Sequence, residues 1–133
     1  MARMTDGPPP PSHGWRTPSP TESYLLERLL RVHFSGAAEL RTQLRMAQVR
    51  TIVDYAESDA SLEFLVPKEA PVALTRVRIP TEASYVDRDG VEVHVLLHIV
   101  DGRLRELEVY KDDGTEILVD PVSAPLHIVH PEI

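Results

Sequence analysis

The stretch Val91-Glu-Val-His-Val-Leu-Leu-His-Ile-Val-Asp-Gly-Arg-Leu-Arg-Glu-Leu-Glu-Val-Tyr110 decides the fold. Val91, Val93, Val95, Leu97 and Ile99 recur with a period of two, the signature of a strand with one buried face, and Leu107 and Val109 continue it after Asp101-Gly102. Aspartate followed by glycine between two such runs reads as a hairpin turn. Register then depends on loop length. A two-residue loop pairs odd positions with even ones and carries Glu106 and Glu108 onto the face of the aliphatic ladder, where carboxylates are costly to bury. A three-residue loop with Gly102 in a left-handed bulge pairs odd with odd. The bulged turn is the expectation, with the valines and leucines facing a core and His94, His98, Glu106 and Glu108 on the other face.

Working outward, Asp87-Arg88-Asp89-Gly90 has turn residues and is preceded by a weaker strand, Glu82 to Asp87. Further β-branched or alternating runs cover Val49 to Tyr55, Leu62 to Val66 and Val72 to Ile79, bracketed by Pro67, Pro71 and Pro80. Downstream, Lys111-Asp112-Asp113-Gly114 predicts a turn, Thr115 to Val119 a last strand, and the C-terminal stretch is spaced by prolines. Before the strands the period is helical. Ser19-Pro20-Thr21-Glu22 supplies a cap, a proline at the first position and a capping-box glutamate, followed by Leu25, Leu26, Leu29, Leu30 and His33 on one stripe. Phe34-Ser35-Gly36 ends that helix, and Leu40, Leu44 and Ala47 mark a second from about Ala37 to Ala47. The expected fold is α+β: an N-terminal pair of short helices, near 20–34 and 37–47, packed on one face of an antiparallel β-meander sheet.

A chain of 133 residues suits one compact domain. Six of its twelve prolines fall in the first twenty residues. Residues 1–18 therefore read as a disordered proline-rich tail and 19–133 as a single domain. A proline-rich ligand reading of Pro8 to Pro11 lacks a basic anchor beside it. The sequence has no apolar run approaching the roughly 18–20 residues of a membrane span and no apolar signal core after Met1, so a cytoplasmic protein without membrane contact is expected. With no cysteine, disulfides, thiol catalysis and cysteine zinc sites are absent. A formal charge of −7 and a pI near 5.3 argue against nucleic acid as a partner.

Candidate chemistry is sparse. His94 and His98 lie about 13 Å apart along a strand that advances roughly 3.3 Å per residue, too far to share one ion. His127 and His130 lack third and fourth ligands, and neither aspartate-glycine turn continues into a calcium loop. No phosphate loop, dinucleotide fingerprint or nucleophile elbow is present. The expectation is accordingly no catalytic residue, no metal and no cofactor. Charge is uneven: residues 21–50 hold five arginines against three glutamates, a net of +2, whereas residues 51–133 hold 7 basic and 17 acidic side chains, a net of −10. An acidic sheet suits a basic partner. The reading that follows is a non-catalytic protein-binding domain using His94, His98, Glu106 and Glu108 on its outward sheet face, in one version an immunity-like or inhibitory protein. The alternative is a small enzyme or ligand-binding domain with a pocket between helices and sheet bordered by those same residues.

The hairpin HVLLHIVDGRLRELEVYKDDG, His94 to Gly114, together with Phe34-Ser-Gly-Ala-Ala-Glu-Leu40 and Leu62-Glu-Phe-Leu-Val66, resembles a family of small bacterial domains of unknown function. The likeness runs from roughly Pro18 to Val129, and Ser35 stands where the family pattern has proline. The resemblance implies a compact α+β domain and carries no activity, cofactor or catalytic residue with it.

Overall fold

The computed structural model describes residues 14–31, 34–52, 61–75 and 78–129. His33, the end of the first expected strand after Ile52, His130 and the tail before Gly14 lie outside the described residues. Two helices, α1 (Pro20–Leu29) and α2 (Ala37–Met46), precede six strands: β1 (Gln48–Thr51), β2 (Leu62–Leu65), β3 (Thr81–Val86), β4 (Glu92–Val100), β5 (Arg103–Lys111) and β6 (His127–Val129). The strands form one open antiparallel sheet in the order β1-β2-β5-β4-β3-β6. The α+β class is as expected. The meander is confined to β3-β4-β5, because β2 returns to β5 and β6 to β3.

Helix α1 starts as its sequence directs: Ser19 Oγ accepts the Glu22 N–H at 3.1 Å and the Glu22 carboxylate accepts the Ser19 N–H at 2.8 Å. It stops several residues early. Thr81 Oγ1 donates to the Leu29 carbonyl at 3.0 Å and Arg41 Nη1 to the Leu30 carbonyl at 2.8 Å, so tertiary donors satisfy the carbonyls that end the helix. Leu25, Leu26, Leu29, Leu30, Leu40 and Leu44 are buried in one cluster with Val93, Val95, Leu97, Ile99, Leu107 and Val109. Both helices therefore cover the odd-numbered face of β4. No helix among the described residues is long and apolar enough to cross a membrane.

The central hairpin pairs odd with odd as anticipated, Leu97 with Leu107 and Val95 with Val109, but by a different device. The loop has two residues, not three: Val100 pairs with Arg103, and Asp101 (φ 53°) and Gly102 (φ 74°) both adopt left-handed backbone, the geometry that matches strand twist in a tight hairpin. The extra residue sits one step inside the strand. Ile99 pairs with Leu104 and His98 with Glu106, leaving Arg105 as the bulge that restores the register. Gln43, fully buried on α2, serves this irregularity. Its Oε1 accepts the Leu104 N–H at 2.9 Å, while its Nε2 donates to the carbonyls of Gly102 at 2.8 Å and Pro71 at 2.7 Å. Gly102 has a second reason to be glycine, because a Cβ there would strike the Val72 side chain and the Ala73 carbonyl.

Three further expectations need correction. Val72 to Ile79 forms no strand among its described residues, since the Pro71 carbonyl is committed to Gln43 and the Ala73 N–H to the Gly102 carbonyl at 2.9 Å. Thr115 to Val119 is also not a strand. Its backbone is held instead by the Asp87 carboxylate, which accepts the N–H groups of Leu118 and Val119, each at 2.9 Å. Residues 14–18, assigned to the tail, are tied to the domain: Arg16 and Val49 exchange backbone hydrogen bonds at 2.9 and 2.7 Å, and the Arg16 guanidinium grips Glu22 with two bonds at 2.6 and 2.8 Å. That hydrogen bonding lowers the Glu22 pKa and raises that of Arg16.

Asp87 is the hub of the opposite end of the sheet. Besides the Leu118 and Val119 amides of the strap that joins β5 to β6, it accepts the Arg88 N–H at 2.8 Å and pairs with Lys111 Nζ at 2.9 Å, and both charged side chains are essentially inaccessible. Lys111 also reaches Asp89 at 2.7 Å and the Glu116 carbonyl at 2.8 Å. Burial pushes the Asp87 carboxyl pKa up, but these donors outweigh it and hold the group well below the usual carboxylate range. Burial likewise opposes the charge on Lys111, and its two aspartate partners more than restore it.

Two predictions follow from these polar nodes. Gln43→Ala should cost about 2–4 kcal/mol in urea unfolding, because it strands buried backbone groups at the bulge; an unchanged midpoint would show the bulge needs no side-chain partner. Asp87 is more acidic folded than unfolded, so the stability it confers is present at neutral pH and is lost as pH falls below its ordinary value of 3.8. Thermal melting should thus drop steeply with acid in that range, and Asp87→Asn should flatten this dependence while lowering the pH 7 midpoint by roughly 10 °C.

Candidate functional site

The face of the sheet away from the helices is laid out in rows by the strand register. One row runs Arg50, Glu63, Glu106, His98 across β1, β2, β5 and β4; the next runs Glu108, Leu96, Glu82, Val129 across β5, β4, β3 and β6; a third runs Tyr110, His94, Ser84, His127 across the same four strands. Glu92 and Val86 pair beyond them, with Asp112 just after β5. All four residues singled out by alternation, His94, His98, Glu106 and Glu108, lie on this face. The register brings His98 and Glu106 side by side, yet the His98 ring reaches diagonally and its Nε2 meets Glu108 Oε1 at 2.8 Å. His94 is engaged elsewhere: it stacks on Tyr110 at 4.8 Å between centroids and its Nε2 meets Asp112 Oδ1 at 2.7 Å.

Alternation alone does not reveal Tyr110, Asp112, Glu92 and Glu82 as neighbours, since that grouping depends on register and on a turn. The ligand-type atoms of Glu92, His94 and Asp112 all lie within 4.8 Å of one another, an arrangement able to hold a divalent ion. His94 and His98, by contrast, each have their own carboxylate. Tyr110 is pushed above the ordinary tyrosine pKa by burial first, and then by the charges of Glu108, Asp112, Glu82 and Glu92. At the β1 margin Arg50 places its guanidinium 4.5 Å from the Trp15 ring centroid and donates to Glu63 at 2.8 Å, so Glu63 is neutralised locally.

On the helix side, a cavity of about 290 Å³ opens between the start of α1 and the 120–122 turn, bordered by Arg16, Glu22, Thr51, Leu62 and Leu107. None of His94, His98, Glu106 or Glu108 borders it, because the whole thickness of the sheet lies between. The pocket of the alternative reading and the residues expected to line it are thus on opposite faces. His98 has a further restriction: its Nδ1 is buried and without a hydrogen-bond partner, and its Nε2 is engaged by Glu108.

Residues 15–121 match the model of the family described as a domain of unknown function, DUF6984, and the chain belongs to that family. No curated protein and no solved structure matches it. The matched span begins at Trp15, within the segment that pairs with β1, and ends in the strap held by Asp87.

The polar pairs of this face should be nearly neutral for folding. His94→Ala and Glu108→Ala are each expected to leave the circular-dichroism melting midpoint within a few degrees, since partly exposed pairs contribute about 1 kcal/mol or less. A loss comparable to that of a buried leucine would make the face a structural element.

Proposed function

We propose that this domain is a non-catalytic protein-binding module whose contact surface is the open face of its sheet. The observation that carries the reading is the combination, on a face that no helix among the described residues covers, of Glu82, Glu92, Glu106, Glu108 and Asp112 with the partly exposed Leu96 and the exposed Val86 and Val129. Carboxylates steer and orient a basic partner, while the apolar positions give it area to bury. An inhibitory, immunity-like action fits this surface, with the acidic face occluding a basic patch of its target. The burial of His98 Nδ1, the engagement of its Nε2 by Glu108 and the separation of the helix-side cavity from the His and Glu cluster weigh against the enzyme alternative.

The test is affinity capture with three forms of the full chain: the native one, Glu82→Lys/Glu106→Lys on the open face, and Glu27→Lys on the exposed side of α1. A specific protein held by the native and Glu27→Lys forms and lost by the double variant is the expected outcome. Capture that is indifferent to the open-face reversal would move the contact surface elsewhere.

A further inference from the structure

We propose that the open face receives an arginine of its protein partner at the Tyr110–His94 stack, ringed by Glu82, Glu92, Glu108 and Asp112. This inference rests on the protein-binding reading above and specifies the chemistry of the partner segment. The stack is set by register: Tyr110 and His94 are direct cross-strand partners, with ring planes 19° apart. It lies on the two middle strands of the sheet, third and fourth of six, toward the end where β4 begins and β5 finishes.

The four carboxylates converge on this stack from three strands and a turn: Glu82 from β3, Glu92 from β4, Glu108 from β5 and Asp112 from the turn that follows. Their convergence is fixed by the scaffold. Asp112 donates its backbone N–H to the Glu92 carbonyl at 3.0 Å, and its neighbour Lys111 is locked in the buried pair with Asp87. Among the described residues no lysine or arginine pairs with any of the four; Glu108 and Asp112 meet only histidines, and Glu92 lies 3.8 Å from His94 Nε2. Elsewhere the pattern differs. Glu22 and Glu63 have Arg16 and Arg50, and Asp87 and Asp89 have Lys111. Other acidic side chains, such as Glu106, Glu116 and Asp120, also have no lysine or arginine partner among the described residues; what sets this group apart is that its four carboxylates surround one aromatic stack.

A guanidinium meets it better than an ammonium does. It is planar, lies flat on an aromatic surface and extends a fork of donors toward surrounding carboxylates, whereas lysine offers a compact, strongly hydrated charge. The protein already makes the same choice at its margin, where Arg50 lies over Trp15 and donates to Glu63. A phosphate-bearing partner is repelled by the same four charges.

The experiment is a ¹⁵N–¹H NMR titration of the full chain with a capped hexapeptide of alternating glycine and arginine, and with its lysine counterpart. Expected are shifts centred on residues 82, 92–94 and 108–112, an affinity for the arginine peptide at least about 3-fold above that for lysine, and at least about a 5-fold loss in Glu82→Gln/Glu92→Gln and in Tyr110→Leu. Preserved spectra elsewhere in those variants confirm that they fold. Shifts centred on Glu63 and Glu106 would overturn the arginine site and leave the open-face reading intact, while shifts confined to acidic residues off this face, such as Glu116 and Asp120, would overturn both. Equal affinity for the two peptides would reduce the site to diffuse attraction and overturn it. Stoichiometric Zn²⁺ binding that blocks the arginine peptide would reassign Glu92, His94 and Asp112 to a metal and overturn it as well.

Discussion

Strands β4 and β5 carry two requirements that conflict. A tight two-residue turn opposes odd positions to even ones, and the aliphatic ladder of β4 accepts only the odd positions of β5. The displaced Arg105 reconciles them, and nearly everything else follows from that one residue being set aside. Downstream of it, Leu107 and Val109 enter the core while Glu106, Glu108 and Tyr110 face outward. The irregularity would leave a buried amide unanswered, and Gln43 of α2 answers it while binding the carbonyls of the turn and of Pro71. Helix, hairpin tip and the 71–74 segment are thereby pinned at a single side chain. The chemistry of the open face thus originates at a bulge near the other end of the strand.

The far end of the same two strands depends on a second polar node. Lys111 continues the inward-facing series of Leu107 and Val109, and a cation there is tolerable only because Asp87, Asp89 and the Glu116 carbonyl surround it. Asp87 in turn spends its remaining lone pairs on the strap that carries the chain from β5 to β6. The two central strands are consequently gripped by polar groups at both ends of an aliphatic middle. Such nodes constrain geometry as well as adding stability, because each fixes several backbone segments at one side chain.

How much of this the sequence discloses depends on how local each signal is. The capping box at Ser19 and Glu22, the leucine stripes and the alternation of Val93, Val95 and Leu97 are encoded within a few residues, and they place the start of α1, the second helix, the central strands and the outward His and Glu side chains correctly, whereas the end of α1 is set by the distant donors Thr81 and Arg41. The bulge position is not local. Both a three-residue loop and a later bulge satisfy the same alternation, and only the contact with Gln43 distinguishes them. Likewise Thr115 to Val119 has strand composition, but its amides are claimed by Asp87, some thirty residues earlier. One available signal was the parity of Lys111: a lysine on the inward series implies a buried acidic partner, and the Asp87-Arg88-Asp89 turn lies at the matching end of β4. Strand β6, three residues between prolines, has too little pattern to be read, and the ring of carboxylates around Tyr110 exists only once β3, β4 and β5 are in register.

The attachment of the leading segment to β1 has an optical consequence. The chain contains a single tryptophan, and Trp15 sits not in the core but against the Arg50 guanidinium at the edge of the open face. Its emission therefore responds to the seam between residues 14–18 and β1, whereas far-ultraviolet dichroism follows the helices and the sheet. A divergence between the two signals on heating or dilution into denaturant separates peeling of this segment from collapse of the core, so the molecule carries its own reporter for the stability of one sheet edge.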